Sequence, residues 1–180
     1  MKISLITPAG KQLKNGNRTT AMRWARLLRR VGHQVHVTND YDGRAVDLLI
    51  ALHAWHSAKA VQRYRCQAPK GPLVVGLGGT DVNTFLKTDR QITLNTMKAA
   101  DALVCLHDLV GEALPPALSG RLNVVRQSAT PLSATRIPSK RHFDICVIGH
   151  LRDEKDPFRA ALAARQMPNN SSLRVIHLGK

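Results

Sequence analysis

Along this chain, short runs of unbroken apolar residues alternate with longer stretches of helical spacing. Lys2–Thr7 is a β-rich apolar run, ended by Pro8-Ala9-Gly10. A polar loop, Lys11 to Asn17, follows. Apolar residues then recur at Ala21, Trp24, Ala25, Leu27, Leu28 and Val31, which predicts a helix over Thr19–Val31 with Gly32 as its stop. His33–Thr38, Asp47–Leu52, Pro72–Leu77, Ala102–Leu106 and Leu122–Arg126 read as further strands. Ser57–Arg65, Leu86–Ala100 and Leu109–Leu114 read as helices. Strands that are apolar throughout, alternating with helices, imply a parallel sheet covered on both faces.

The pattern then breaks. Thr130–Arg141 is polar, contains Pro131 and Pro138, and has no periodicity, so it reads as a linker. Beyond it the pattern restarts: strand Phe143–Ile148, charged loop Gly149–Pro157, helix Phe158–Arg165, strand Leu173–Leu178. The expected fold is α/β. A Rossmann-like parallel-sheet domain covers 1–129, a linker 130–141, and the first βαβ of a second Rossmann-like domain 142–180. Two strands and one helix do not bury a core alone, so this second domain is expected to be incomplete or to need a missing partner.

Composition narrows the function. Of 180 residues, 43% are hydrophobic, which excludes a disordered chain. No apolar run approaches the ~18–20 residues of a spanning helix. The N-terminal apolar stretch is too short for a signal peptide. Cys66, Cys105 and Cys146 are odd in number and lack metal-site spacing. They read as reduced thiols of a cytoplasmic protein, with Cys105 and Cys146 buried in apolar runs. Lys and Arg number 27 against 12 Asp and Glu, a net charge of +15, which calls for an anionic partner: nucleic acid, a membrane surface or a phosphorylated small molecule. At 4% aromatic content, few platforms exist for stacking single-stranded nucleic acid.

Candidate chemistry lies in the loops after strands, where ligands bind in such folds. Gly10, Lys11, Asn15, Gly16, Asn17 and Arg18, with Lys14, lead into a helix N-terminus that favours an anion. The loop is neither a P-loop nor a dinucleotide fingerprint. A solvated loop with a capped helix is the alternative. Gly78-Gly79-Thr80-Asp81 ends a strand. Its adjacent glycines permit positive φ and close backbone approach, or form a turn with Asp81 as N-cap. His150, Arg152 and Lys155 lie in the charged loop, where cations could meet a diphosphate or be solvated ion pairs. His53 and His56 flank Ala54-Trp55. Either could act as a base, or both as structural residues, and no metal pattern joins them. Asp40-Tyr41-Asp42, followed by Gly43, reads as a turn.

Taken in order, four stretches resemble the GT-B glycosyltransferases of retaining family 4. Leu73 to Asp81 resembles the family's VVxxHGTD stretch, and Met97 to Cys105 its AD-then-strand signature. Arg121 to Val125 resembles the strand before the crossover, and Val147 to Lys155 the VGRLxxEKG opening of the C-terminal domain. Within the family the chain is most similar to the selenosugar synthases of selenoneine biosynthesis. That likeness runs through Ser4–Gly10, Asn15–Arg18, Leu48–Trp55, Gly79–Asp81, Leu106–Val110 and Arg141–Pro157. The resemblance implies transfer of a sugar from a UDP-sugar, UDP-N-acetylglucosamine in type, to selenophosphate, with UDP released. It implies no metal and no cofactor. It places the acceptor anion at His53 and at the two N-terminal glycine-containing loops, and the donor diphosphate at His150, Arg152 and Lys155.

Two departures follow. Gly78 stands where many members carry a sugar-contacting His, and would leave space for a small inorganic acceptor. His150 stands at the family's diphosphate arginine, with Arg152 a substitute and Lys155 the second cation. The family's Glu-x₇-Glu segment would lie beyond Lys180, so the chain is expected to carry the acceptor half and little donor affinity. The alternatives are a family-4 transferase with a carbohydrate or lipid acceptor, and a basic nucleic-acid-binding module. For the second stands the charge, including Arg23, Arg26, Arg29 and Arg30 on one helix. Against it stands the absence of any recognition motif.

Overall fold

A computed structural model describes residues 1–10, 16–134 and 137–179. The chain divides into two compact units, Met1–Ser128 and Ala129–Lys180. The first is an α/β unit, compatible with a Rossmann-like domain, around a six-stranded, all-parallel sheet. Its elements are β1 (Lys2–Ile6), α1 (Gly16–Arg30), β2 (Gln34–Thr38), β3 (Leu48–Leu52), α2 (Ala58–Gln67), β4 (Leu73–Gly76), a π-helical turn (Asp81–Phe85), α3 (Leu86–Thr88), α4 (Arg90–Ala99), β5 (Ala102–Cys105), α5 (Val110–Ala113), α6 (Pro116–Ser119) and β6 (Leu122–Val124). The strand order is β2-β1-β3-β4-β5-β6, with every pairing parallel.

The unbroken apolar strands are explained by two cores. Successive strand residues point to opposite faces. In β3, Ile50 and Leu52 join Ile3, Leu5 and Ala21 in a core that includes Trp24 and Leu28 of α1. Leu49 and Ala51 join the opposite core with Val61, Tyr64, Leu73, Leu94 and Met97 of α2, β4 and α4. Leu49, Ile50, Ala51 and Leu52 are at most 6% exposed, so both faces of β3 are covered along these residues.

Helix ends follow local chemistry. The α1 end is a Schellman turn: Gly32 N–H donates to Arg29 O (3.0 Å), and His33 N–H to Leu28 O (3.1 Å). Gly32 sits at φ 88°, which glycine adopts without a Cβ clash. The α1 start lies at Gly16, earlier than the apolar period predicted, because Gly16, Asn17 and Arg18 fill a first turn with no apolar position. Arg65 closes α4: its guanidinium donates to Ala99 O (2.6 and 2.8 Å) and meets Asp101 (3.1 Å). Asp101 in turn accepts the Leu73 N–H at 2.8 Å. The conspicuous aspartate of the AD signature therefore splices β4 to the α4–β5 corner.

The second unit holds β7 (Phe143–Ile148), a 3₁₀ turn (Asp153–Lys155), α7 (Arg159–Ala164) and β8 (Leu173–Leu178), with β7 and β8 parallel. Phe143, Ile148, Phe158 and Leu162 are 58–80% exposed. The thiol expectation needs correction here. Cys105 is buried, but Cys146 is exposed, as is Cys66. One helix covers one side of a two-stranded sheet, and Cys146 and Ile148 alternate to the other side from Ile145 and Val147. Among the described residues no helix is long and apolar enough to cross a membrane.

A two-stranded sheet lacks independent stability. Limited proteolysis should therefore cleave within 129–180 first and leave a resistant fragment ending near Ser128, read by intact-mass spectrometry. Equal resistance of both units would contradict this account.

Candidate functional site

The site is built around one carboxylate. Asp81 is fully buried (0% exposed), five residues after the last of β4. Its Oδ2 accepts the backbone N–H groups of Ala54 (2.9 Å) and Gly78 (2.8 Å). Its Oδ1 accepts the Trp55 N–H at 2.9 Å and lies 2.8 Å from His53 Nδ1. Helical geometry begins at Gly79, so Asp81 stands in the first turn and reaches back to the residue before the helix, as the acid of a capping box does. It is therefore not the N-cap that the sequence suggested. It ties the loop after β3 to the loop after β4.

His53 is pinned at both ring nitrogens. A carboxylate only accepts, so Nδ1 carries a proton toward Asp81. Nε2 lies 2.7 Å from Thr80 Oγ1. The residue is 3% exposed and sits at φ 74°, a left-handed conformation that costs about 1–3 kcal/mol unless the surroundings impose it. Here they do. His53 N–H donates to Gly76 O (2.7 Å), Ser57 N–H to His53 O (3.0 Å), and Ser57 Oγ to Leu52 O (2.7 Å).

The glycine pair behaves differently from expectation. Positive φ occurs at Gly32 and Gly43, not at Gly78 or Gly79. Gly78 matters by proximity: a Cβ there would crowd the His53 ring at 3.1 Å from Cδ2 and the ring would have to shift by a few tenths of an ångström. The space that Gly78 frees is thus taken by the His53 ring. Gly79 has open space where a Cβ would stand. Over this cluster Trp55 and Phe85 stack at 4.2 Å and 3°, and the His56 ring meets His53 edge-on at 4.3 Å.

Beside His53 is a cavity of about 40 Å³ at the C-terminal ends of β3, β4 and β5. Asn17, Thr20 and Trp24 of α1 form one wall, His53 and Gly78 another, and Gln127 closes it. A water needs roughly 10–15 Å³ of such space, so the recess among the described residues has room for a few waters or one small tetrahedral ion. The structure thus brings the predicted residues Asn17, His53 and Gly78 to one cavity. Thr80 and Asp81 stand behind His53, while Gly16 and Arg18 share the first turn of α1 with Asn17, and Gly10 follows β1. Lys11, Lys14 and Asn15 lie outside the described residues. The wall residues that the sequence reading missed are Thr20, Trp24 and Gln127. Gln127 Nε2 donates to Thr20 Oγ1 at 2.9 Å across 107 positions, a pairing with no local signal. His53 is the one titratable side chain of the cavity wall among the described residues.

A larger groove, about 940 Å³, lies on α2 and α4, bordered by Trp55, His56, Lys59, Ile92 and Asn95, and of the candidate residues it takes His56, on the other side of the junction from the small cavity's His53. In the second unit, His150, Arg152 and Lys155 are exposed on the loop after β7. Arg152 N–H donates to His150 O and Lys155 N–H to Arg152 O (both 2.9 Å), folding the three into one turn. Asp40-Tyr41-Asp42 is a turn as expected. Tyr41 N–H donates to Asp40 Oδ1 (2.8 Å), Arg44 N–H to Asp42 Oδ1 (3.2 Å), and Gly43 has φ 81°. No group of three or more His, Cys, Asp or Glu placed to hold a metal occurs among the described residues. On α1, Arg29 donates to Val35 O and Arg23 to Ser128 Oγ, so two of its arginines serve the fold.

No protein-family model matches the chain, and no curated protein matches it.

Two outcomes follow. Asp81→Ala leaves three N–H groups, that of Ala54 buried and those of Trp55 and Gly78 part-buried, and a ring nitrogen without their acceptor, and should cost about 3–5 kcal/mol in urea unfolding. A loss under about 1 kcal/mol would remove Asp81 from its organising place. His56 supplies a pH dependence. Although exposed by area, its ring is partly desolvated among its neighbours, which lowers its pKa below 6.5; repulsion from His53 adds to this and Asp81 opposes it. The unfolded chain then binds that proton first as pH falls. Stability should decline as pH drops through 6.5. His56→Gln should flatten part of that decline in a pH series of urea midpoints.

Proposed function

We propose that the chain is a GT-B glycosyltransferase of family-4 type whose first unit holds a small phosphorus oxyanion as acceptor. In the specific form, selenophosphate attacks the anomeric carbon of a UDP-sugar, UDP-N-acetylglucosamine in type. A carbon–selenium bond forms, and the bond from that carbon to the diphosphate oxygen breaks, its electron pair leaving with UDP. The observation that carries this reading is the size and placement of the cavity. It lies at the C-terminal edge of a parallel sheet, against the first turns of α1, and has room for a small tetrahedral ion. The helix N-terminus, Asn17 and Gln127 supply neutral donors of the kind that hold oxyanions. The ordered motifs around Gly79-Thr80-Asp81, Met97–Cys105 and Val147–Lys155 supply the family resemblance.

In this reading His150, Arg152 and Lys155 face the donor diphosphate, where placed cations stabilise the charge of the leaving group. The reaction uses no bound cofactor, since UDP-sugar and selenophosphate are both substrates. The nucleic-acid reading is weakened where arginines of α1 are engaged within the fold.

Calorimetric titration with thiophosphate, an oxidation-resistant stand-in for selenophosphate, tests the acceptor site. One saturable site is expected, weakened about tenfold by Asn17→Ala, the loss of one hydrogen bond to a charged group. If no saturable site appears, and duplex DNA instead binds with an affinity that collapses as salt rises, the nucleic-acid reading replaces this one.

A further inference from the structure

The groove on α2 and α4 differs from the small cavity in size, lining and place. At about 940 Å³ it falls within the roughly 300–1,000 Å³ of small-molecule sites. The two helices pack directly on one another, so the groove is a crease along their shared edge. On α2 its lining runs from Ala58 to Cys66, about 12 Å of helix axis. Two polar side chains of the α4 wall are already engaged within that helix. Thr96 Oγ1 donates to Ile92 O (3.0 Å), and Asn95 Oδ1 accepts from Gln91 Nε2 (2.8 Å). Ile92 itself is half-exposed, so apolar surface stands open along the crease.

The charge on this lining has one sign, and its available part sits at one end. No carboxylate lines the groove among the described residues. Arg65, at the far end, is spent on the carbonyls of Ala99 and Gly71 and on Asp101. Lys59 stands in the first turn of α2 and has no carboxylate partner among the described residues. That turn holds no acidic residue. Ser57 gives it no side-chain cap, because its Oγ is bonded to Leu52 O. His56, beside it, is held toward its uncharged form, chiefly by desolvation.

We propose that this groove is a second ligand site, for an amphipathic carboxylate of the fatty-acid class. Its head lies at Lys59 and the start of α2, and its chain runs along the crease past Ile92 toward Cys66. A carboxylate there gains a charge-assisted hydrogen bond from the ammonium and the favourable end of the helix dipole. Each methylene laid on the apolar lining adds affinity by leaving water. The opposite sign of ligand has no anchor, since the lining offers it no carboxylate. The site is independent of the acceptor reading. Val61 and Leu94 of α2 and α4 belong to the core on one face of the sheet, whereas α1, which walls the small cavity, packs on the other.

The test is calorimetric titration of the whole chain with decanoate, paired with the rate at which iodoacetamide alkylates each exposed thiol, read by peptide mass spectrometry. Cys66 lines the groove, and Cys146, exposed in the second unit, is the internal control. Saturable binding is expected, with alkylation slowed at Cys66 and unchanged at Cys146. Lys59→Gln should weaken that protection about tenfold in decanoate concentration, the loss of one hydrogen bond to a charged group, while Lys59→Arg keeps it. Decyltrimethylammonium, with the same chain and the opposite charge, should leave Cys66 unprotected. Unchanged alkylation of Cys66 at saturating decanoate overturns the site. Equal protection by the cationic amphiphile, or full affinity in Lys59→Gln, overturns the assignment of an anionic ligand headed at Lys59. Protection of Cys66 by an acidic amphipathic peptide and not by decanoate gives the groove to a protein partner and overturns the proposal. None of these results bears on thiophosphate binding at the small cavity.

Discussion

The buried carboxylate of Asp81 is the constraint on which the rest of the site depends. A charge without solvent is costly unless hydrogen-bonded, and this one accepts from three backbone N–H groups and one imidazole. Those four donors come from two loops after neighbouring strands. Satisfying one carboxylate therefore fixes the separation of the loops, the left-handed turn at His53 and the first turn of the helix after Gly78. The Trp55–Phe85 stack lies over the same junction and links the same two loops. Removing the charge would lose a set of relative positions, and with them the cavity wall that His53 forms.

Much of the fold was legible because the parallel sheet writes itself as blocks. Each apolar run became a strand, and Gly32 marked the α1 end through the positive φ that its Schellman turn needs. The α1 start was less visible, since its first turn has no apolar residue. Cys146 was misplaced because an apolar run was taken as burial on both faces, whereas a two-stranded sheet has only one covered side. At the site, His53, Gly78 and Asn17 were named from their places after strands and at a helix start. Their mutual arrangement was not legible. The Asp81 bonds to Ala54 and Trp55 span 27 and 26 positions, and Gln127 reaches Thr20 across the whole unit. Such pairings depend on which strands become neighbours. Asp81 as a turn cap was a sound local reading that the tertiary partners at His53 overrode.

The charge of the chain and the charge of the cavity differ in kind. Net +15 is a property of the surface, where it raises the local concentration of anions and is screened by salt. The cavity wall sets the amides of Asn17 and Gln127, the Thr20 hydroxyl and the His53 ring among the apolar Trp24, Leu52, Leu77, Val104 and Leu106. Surface charge attracts many anions alike, whereas a small space lined by neutral donors selects by shape and hydrogen-bond count. In the proposed enzyme, attraction and discrimination are thus assigned to different residues.

The two-faced core of β3 carries a consequence for how its register is set. Leu48-Leu49-Ile50-Ala51-Leu52 is apolar at every position, so sliding the strand by one residue would still present apolar side chains to both faces. Hydrophobicity alone leaves the alignment degenerate. The discriminating groups sit at the two ends. Asp47 exchanges bonds with Lys2, its N–H to Lys2 O (2.9 Å) and its Oδ2 from Lys2 N–H (2.6 Å). At the other end His53 N–H meets Gly76 O, and Ser57 Oγ meets Leu52 O. The polar residues that bound this greasy strand act as its index marks, and the mark nearest the cavity is the histidine itself.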